Sequence, residues 1–298
     1  MIRLAVRVRR AQAELVLAEL LELAPAGVEE VELDGQTIEY AVYGAPGELP
    51  TLPDVTGAAG DALVEISTSE TPDDWHERWK SFHSPVLIEG PPGSGDDPSA
   101  APALHLRAPW QPASERADVV EIEIDPGQAF GTGAHPTTRL CLSLMLELAA
   151  NGHLGGPLLD VGTGSGVLGI AARMLGYEPV LCIDNDPQSV AAAEVNAVRN
   201  AVVIDVRRVD LRREPIPWMQ EHEMSHPSLV VVANLLAPLL HELAAGLPGP
   251  PGHLIAGGLL SEEADELSAK FACRLAMHER RRVVSGDWAA LLLSTRDE

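Results

Sequence analysis

Lysine is nearly absent from this chain of 298 residues: only Lys80 and Lys270 accompany 19 arginines. With alanine abundant, this scarcity reflects GC-rich coding. Cysteine is scarce too. Cys141, Cys182 and Cys273 are odd in number and widely spaced, which argues against a disulfide framework and against a zinc knuckle. No apolar run reaches the about 20 residues of a membrane helix. The longest, 229–240, is interrupted by Asn234 and Pro238. Met1 to Arg7 alternates charged with apolar residues and lacks the apolar core of a signal peptide. A soluble cytoplasmic protein without a membrane partner is expected.

Positive charge is also missing locally. Between Arg10 and Arg78 there is no Lys or Arg, while the interval holds sixteen carboxylates, and the whole chain carries a formal net charge of -23. Nucleic-acid affinity comes largely from Lys and Arg displacing counterions, so direct RNA or DNA binding by this end is not expected. The same acidity suits steering of a basic protein. Plain solubility accounts for it as well.

At 46% hydrophobic the chain can build a large core. Residues 2–8 read as a strand, 11–23 as a helix, and 28–33 and 38–43 as strands about an Asp34-Gly35 turn. A Pro/Gly-rich loop follows, then a strand at 62–67, which makes a small α+β unit. Residues 71–82 read as a helix with Trp75 and Trp79 on one side, and 89–103 as an irregular surface loop. Then the pattern changes. Strands at 157–161, 179–184, 202–207, 229–233 and 252–257 alternate with helices at 166–175, 187–199 and 236–246. Only the 202–207 and 229–233 strands follow one another directly. That order predicts a parallel sheet covered by helices on both faces, with ligands bound outside the carboxyl ends of its strands.

Asp160-Val161-Gly162-Thr163-Gly164-Ser165-Gly166 takes a buried strand through a glycine turn into a helix. Glycines there allow close backbone approach to a ligand, and the helix start offers unpaired N–H groups. Asp184, 22 positions beyond Gly162, ends the next strand, where a carboxylate can accept from both hydroxyls of a ribose. A nucleoside cofactor follows. Residues 164–169 also satisfy the dinucleotide pattern G-x-G-x-x-G. Asp160 beside a pyrophosphate would be repulsive, however, whereas S-adenosylmethionine brings an ammonium and a sulfonium. The methyl donor is therefore favoured over NAD, which stays as the oxidoreductase alternative. Asn234 closes its strand at the same edge. His222-Glu-Met-Ser-His226 is a literal H-E-x-x-H, but Pro227 disfavours the helix that a zinc site needs, and no metal is expected.

At these residues the chain resembles the ribosomal protein L11 methyltransferase family. Asp125-Pro-Gly-x-Ala-Phe-Gly-Thr-Gly-x-His-x-Thr-Thr138 matches its signature loop, and Leu159 to Ala172, Ile183 to Pro187 and Val232 to Ala237 match in order. Asp74-Trp75, Trp79-Lys80, Ala108-Pro109-Trp110 and Trp288 fit too, so the resemblance covers roughly 70–290. It implies a Rossmann-like class I methyltransferase domain at 85–298, a linker helix at 69–84, and an α+β, ferredoxin-like substrate-recognition domain at 1–68. It further implies S-adenosylmethionine-dependent methylation of lysine side chains and the N-terminal α-amine of protein L11. A relative acting on another protein's lysine is the alternative, and a monomer is expected. Cofactor contacts carry over to Thr138, Gly162, Asp184 and Asn234, with Phe130, Asp160 and Gly164 as neighbours. Because an exposed lysine has a pKa of about 10.4, the acceptor amine must be made neutral and aimed. Asn234 is the candidate to accept its hydrogen bonds. His135 is read either as a general base or as a structural residue of the loop.

Overall fold

The computed structural model describes residues 2–295 apart from 14–15, 18–19, 21–22, 25–27, 45–48, 71–83, 92–101, 126–132, 134 and 217–227. The chain divides into two compact units, Met1–Phe82 and His83–Glu298.

In the first unit β1 (Ile2–Arg9) lies between β3 (Thr37–Gly44) and β4 (Leu63–Glu70), with β2 (Glu29–Asp34) outside β3. Every neighbouring pair is antiparallel. Ala13, Val16 and Leu20 recur at helical spacing and are buried with Leu4, Val6, Val8 and Ile38. Tyr40 joins this core and donates its hydroxyl to the Ala13 carbonyl at 3.1 Å. Two details depart from the sequence reading. The β2–β3 turn is at Gly35-Gln36, one residue later than expected. The stretch read as a loop contains a helix, α1 (Leu52–Ala59), whose Thr51 cap accepts from the Asp54 amide at 3.4 Å. Its Val55 and Ala59 complete the core, so the order is β-α-β-β-α-β, the ferredoxin-like arrangement.

The opposite face of β1 presents Arg3 and Arg7. Both reach the nearly buried Glu39, at 2.5 and 2.6 Å, and Arg7 also pairs with Glu65 at 2.5 Å. Burial opposes ionisation of Glu39, but the hydrogen bonds from the two arginines win and hold its carboxyl below the usual range. Two of the sixteen carboxylates are thus matched by arginines that precede the Lys/Arg-free interval.

The second unit holds two sheets. The smaller joins β5 (Val86–Ile88), β6 (Ala103–Arg107) and β7 (Val119–Glu123). Ala103, expected at the end of an irregular loop, is instead a buried strand residue. The larger has the order β10-β9-β8-β11-β12-β14-β13. Its strands are β8 (Leu158–Val161), β9 (Val180–Asp184), β10 (Asp205–Arg208), β11 (Val230–Asn234), β12 (His253–Leu260), β13 (His278–Ser285) and β14 (Trp288–Ser294). Strands β8 to β12 run parallel, and β14 and β13 close the far edge antiparallel. The helix α6 (Ala264–Leu275) precedes these two edge strands in the chain; neither this helix nor the terminal hairpin was read from the sequence.

The central strands are apolar throughout because each face is covered. Leu158, Val230 and Val232 pack beneath α2 (Pro136–Ala150) and α3 (Val167–Leu175); Leu159, Val231 and Ala233 pack against α5 (Ala237–Gly246) and α6. Strand β10 starts at Asp205, later than expected. The backbone of Val202 is still closing the end of α4 (Pro187–Arg199) through a bond to the Ala197 carbonyl. From β8 the chain steps outward to β9 and β10, then returns to place β11 on the other side of β8. This reversal opens a crevice at the carboxyl ends of β8 and β11, the usual ligand position in such a sheet.

Candidate active site

The glycine turn after β8 is bonded to its neighbour strand: the amides of Gly162 and Thr163 both donate to the Ile183 carbonyl, at 2.8 and 3.0 Å. Gly162 has φ +74°, and a Cβ on it would collide with Leu235 at the end of β11. Only glycine satisfies both the backbone conformation and this close approach. Asp184 terminates β9 and fastens the turn from the other side. One carboxylate oxygen accepts from the Gly164 amide at 2.9 Å, the other from the Asp186 amide at 3.0 Å. Each oxygen retains capacity for a further donor, which suits a ribose.

Asp160 does different work. It is fully buried, and Oδ2 accepts from the Thr163 hydroxyl at 2.6 Å and from the Gly169 amide at 3.1 Å, tying the turn to α3. It is absent from the residues lining the cavity described below, so the sequence argument that set Asp160 against a pyrophosphate has no geometric support. Burial raises its carboxyl to about 7; hydrogen bonds from Thr163 and Gly169 oppose this and repulsion from Asp184 adds to it. The unfolded chain ionises this group near 3.8, so its contribution to stability is full below that pH and is lost as pH rises to about 7. An Asp160→Asn variant lacks this dependence. Its stability relative to the parent is expected to climb across that window and level off above it, read by urea denaturation at several pH values. Parallel pH profiles for the two proteins would contradict the assignment.

Thr138 and Asn234 complete the crevice. Thr138, in the first turn of α2, is 1% exposed, and its hydroxyl oxygen accepts from Asn234 Nδ2 at 3.3 Å. His135 is the N-cap of α2. Its Nδ1 is 2.8 Å from the Thr137 hydroxyl and 3.4 Å from the Thr137 amide, and its ring meets Trp288 edge-on at 5.1 Å. Burial lowers its pKa, and it does not line the cavity. Of the two readings of His135, the structure supports the capping one. The helix begins at Pro136.

A cavity of about 420 Å³ occupies the crevice, and Thr138, Gly162, Gly164, Asp184 and Asn234 all line it. Phe130 lies outside the described residues, as do Trp75, Trp79 and the 222–226 motif. Among the described residues no cluster of His, Cys, Asp or Glu could hold a metal ion, and no helix is long and apolar enough to cross a membrane. The cavity wall also includes Asp210 and Leu211, which sequence reasoning missed. Their signal was present: an acidic residue just beyond a parallel strand, hidden because that strand was placed too early.

A family model described as ribosomal protein L11 methyltransferase (PrmA) matches residues 56–296. The ribosomal protein L11 methyltransferase of Bordetella bronchiseptica is 37% identical over 311 residues, covering 92% of this chain and 94% of that protein. That of Heliobacterium modesticaldum is 35% identical over 230 residues, covering 74% of this chain and 63% of the relative. Among solved structures, ribosomal protein L11 methylase from Lactobacillus delbrueckii subsp. bulgaricus superposes with TM-score 0.54 at 28% identity, covering 65% of this chain and 95% of that one. With its glycine turn, Asp184 and Asn234 gathered at one switch point, the chain belongs to the ribosomal protein L11 methyltransferase family.

Proposed function

We propose that this chain methylates lysine side-chain and N-terminal α-amines of ribosomal protein L11, using S-adenosylmethionine. The observation that carries the reading is the meeting of a ribose-type acceptor, Asp184, with an amine-type acceptor, Asn234, in one cavity of a chain of this family. Asp184 and the Gly162–Gly164 turn hold the nucleoside. Phe130 and Gly164 are neighbours of the cofactor in this reading, and Asp160 supports it indirectly by bracing the turn. S-adenosylmethionine supplies an electrophilic methyl carbon on a sulfonium.

The chain's own task is positional. Transfer to an amine is an in-line displacement, which depends on alignment and electrostatics. Asn234 Oδ1 accepts a hydrogen bond from the neutral amine and aims its lone pair. In this reading residues 1–68 recognise the substrate, 69–84 link, and 85–298 catalyse, the chain working as a cytoplasmic monomer.

The test is calorimetry with S-adenosylmethionine and with NADH, followed by incubation of labelled methyl donor with purified ribosomal proteins. Binding of the methyl donor and labelling of L11 are expected. No binding of the methyl donor would refute the enzyme reading, and labelling of a different protein would refute the substrate.

A further inference from the structure

The glycine turn is fastened from a third side. Asp160 of β8 and Ile183 and Asp184 of β9 hold Gly162, Thr163 and Gly164, whereas Ser165 is reached from α4: its carbonyl accepts from Asn196 Nδ2 at 2.9 Å. The same carboxamide turns its oxygen to the Asp125 amide, just past β7, at 3.1 Å. Asn196 is 1% exposed, and these two partners are backbone groups of opposite kind, a carbonyl and an N–H, so the orientation of its amide is fixed. Helix α4 runs close to the turn here. A Cβ on Gly166 would lie 3.0 Å from Ala193, and Ser189, earlier on the same helix, lines the cavity. Gly164 and Gly166, on either side of Ser165, have φ of +53° and +85°, so Asn196 grips the residue between two that lack a side chain to restrain them.

We infer that Asn196 is a positioning residue of the cofactor site: by tying the Ser165 carbonyl to the chain leaving β7, it keeps the glycine turn in the shape that receives the nucleoside. Asn196 does not itself line the cavity, so it acts through the turn. A turn that holds the receptive shape only part of the time weakens the apparent affinity in proportion to the fraction lost. The inference rests on the reading that this turn holds S-adenosylmethionine. Asn200, four residues on, supplies a matched control. Its Oδ1 accepts from the Glu123 amide at 2.8 Å and its Nδ2 donates to the Glu123 carbonyl at 2.7 Å, so it makes a parallel tie to β7 without bonding to the turn.

Asn196→Ala is expected to raise the Kd of S-adenosylhomocysteine, measured by calorimetry, about tenfold, and the KM of the methyl donor with it. With purified L11 and saturating methyl donor, kcat should stay within about twofold of the parent, because the filled site again selects the receptive turn. A variant that is merely less stable behaves differently: it loses active molecules, so kcat falls while KM holds. Asn200→Ala should bind S-adenosylhomocysteine as the parent does. If Asn196→Ala does not fold at the assay temperature, Asn196→Leu, which keeps the branched shape without the polar atoms, serves the same comparison. Parental affinity in the Asn196 variant, equal weakening in Asn200→Ala, or a fall in kcat at unchanged KM would each overturn the inference. A parent that binds no S-adenosylhomocysteine would refute the cofactor reading and the inference together; a parent that binds it while the Asn196 variant binds equally well refutes the positioning role alone.

Discussion

Asp184→Ala is expected to weaken binding of S-adenosylhomocysteine by roughly a hundredfold or more, measured by calorimetry. A hydrogen bond to a charged group contributes about 1.5–3 kcal/mol, and a ribose presents two hydroxyls to this carboxylate. The substitution also releases the amides of Gly164 and Asp186, which Asp184 now holds at 2.9 and 3.0 Å. The glycine turn should therefore loosen as the ribose contact is lost. Asp184→Asn keeps one acceptor and should fall between the parent and the alanine variant. An alanine variant with parental affinity would mean that the nucleoside lies elsewhere in the cavity.

Asn234→Ala is expected to cost about 100- to 1,000-fold in kcat for L11 methylation, the scale found when one preorganised polar group is removed from an active site. Cofactor affinity should fall much less, because Asp184 and the glycine turn remain. Truncation removes the buried Oδ1 and leaves Thr138 without the donor it now meets at 3.3 Å. Stopped-flow or single-turnover measurement with bound cofactor distinguishes slow chemistry from weak binding. If kcat is retained and only cofactor affinity drops, Asn234 is a cofactor residue and not the amine acceptor.

The elements that were legible in the sequence share a property: their signals are local and one-sided. Leu158 to Val161 is apolar at nearly every position because a central parallel strand is covered on both faces, and its glycine exit needs a conformation most residues avoid. Helix α4, read over the right range, is capped in the structure by Asp186, whose carboxylate accepts from the Gln188 amide at 2.9 Å. Helix α1 was hidden because Pro53 and Gly57 look like loop residues. Pro53 falls in the first turn, where its missing N–H is no loss, and Val55 and Ala59 gain burial against a sheet that no local pattern displays. The terminal hairpin β13–β14 was likewise unread, since its charged edge strand His278–Ser285 lacks a continuous apolar signature.

Residue types and spacing determined the α/β class, the glycine turn, and the candidates Gly162, Asp184 and Asn234, because backbone conformation and strand ends are encoded within a few neighbours, whereas Thr138 was marked only by the resemblance to the family's signature loop. Tertiary structure decided what each side chain does. Asp160 and Asp184 are both strand-end carboxylates near one glycine turn, yet one is sealed beneath it and the other opens on the cavity. Likewise, Asn234 meets Thr138, 96 positions earlier in the chain. Spacing along a chain does not carry that information: it exists only once the sheet has brought β11 to the start of α2.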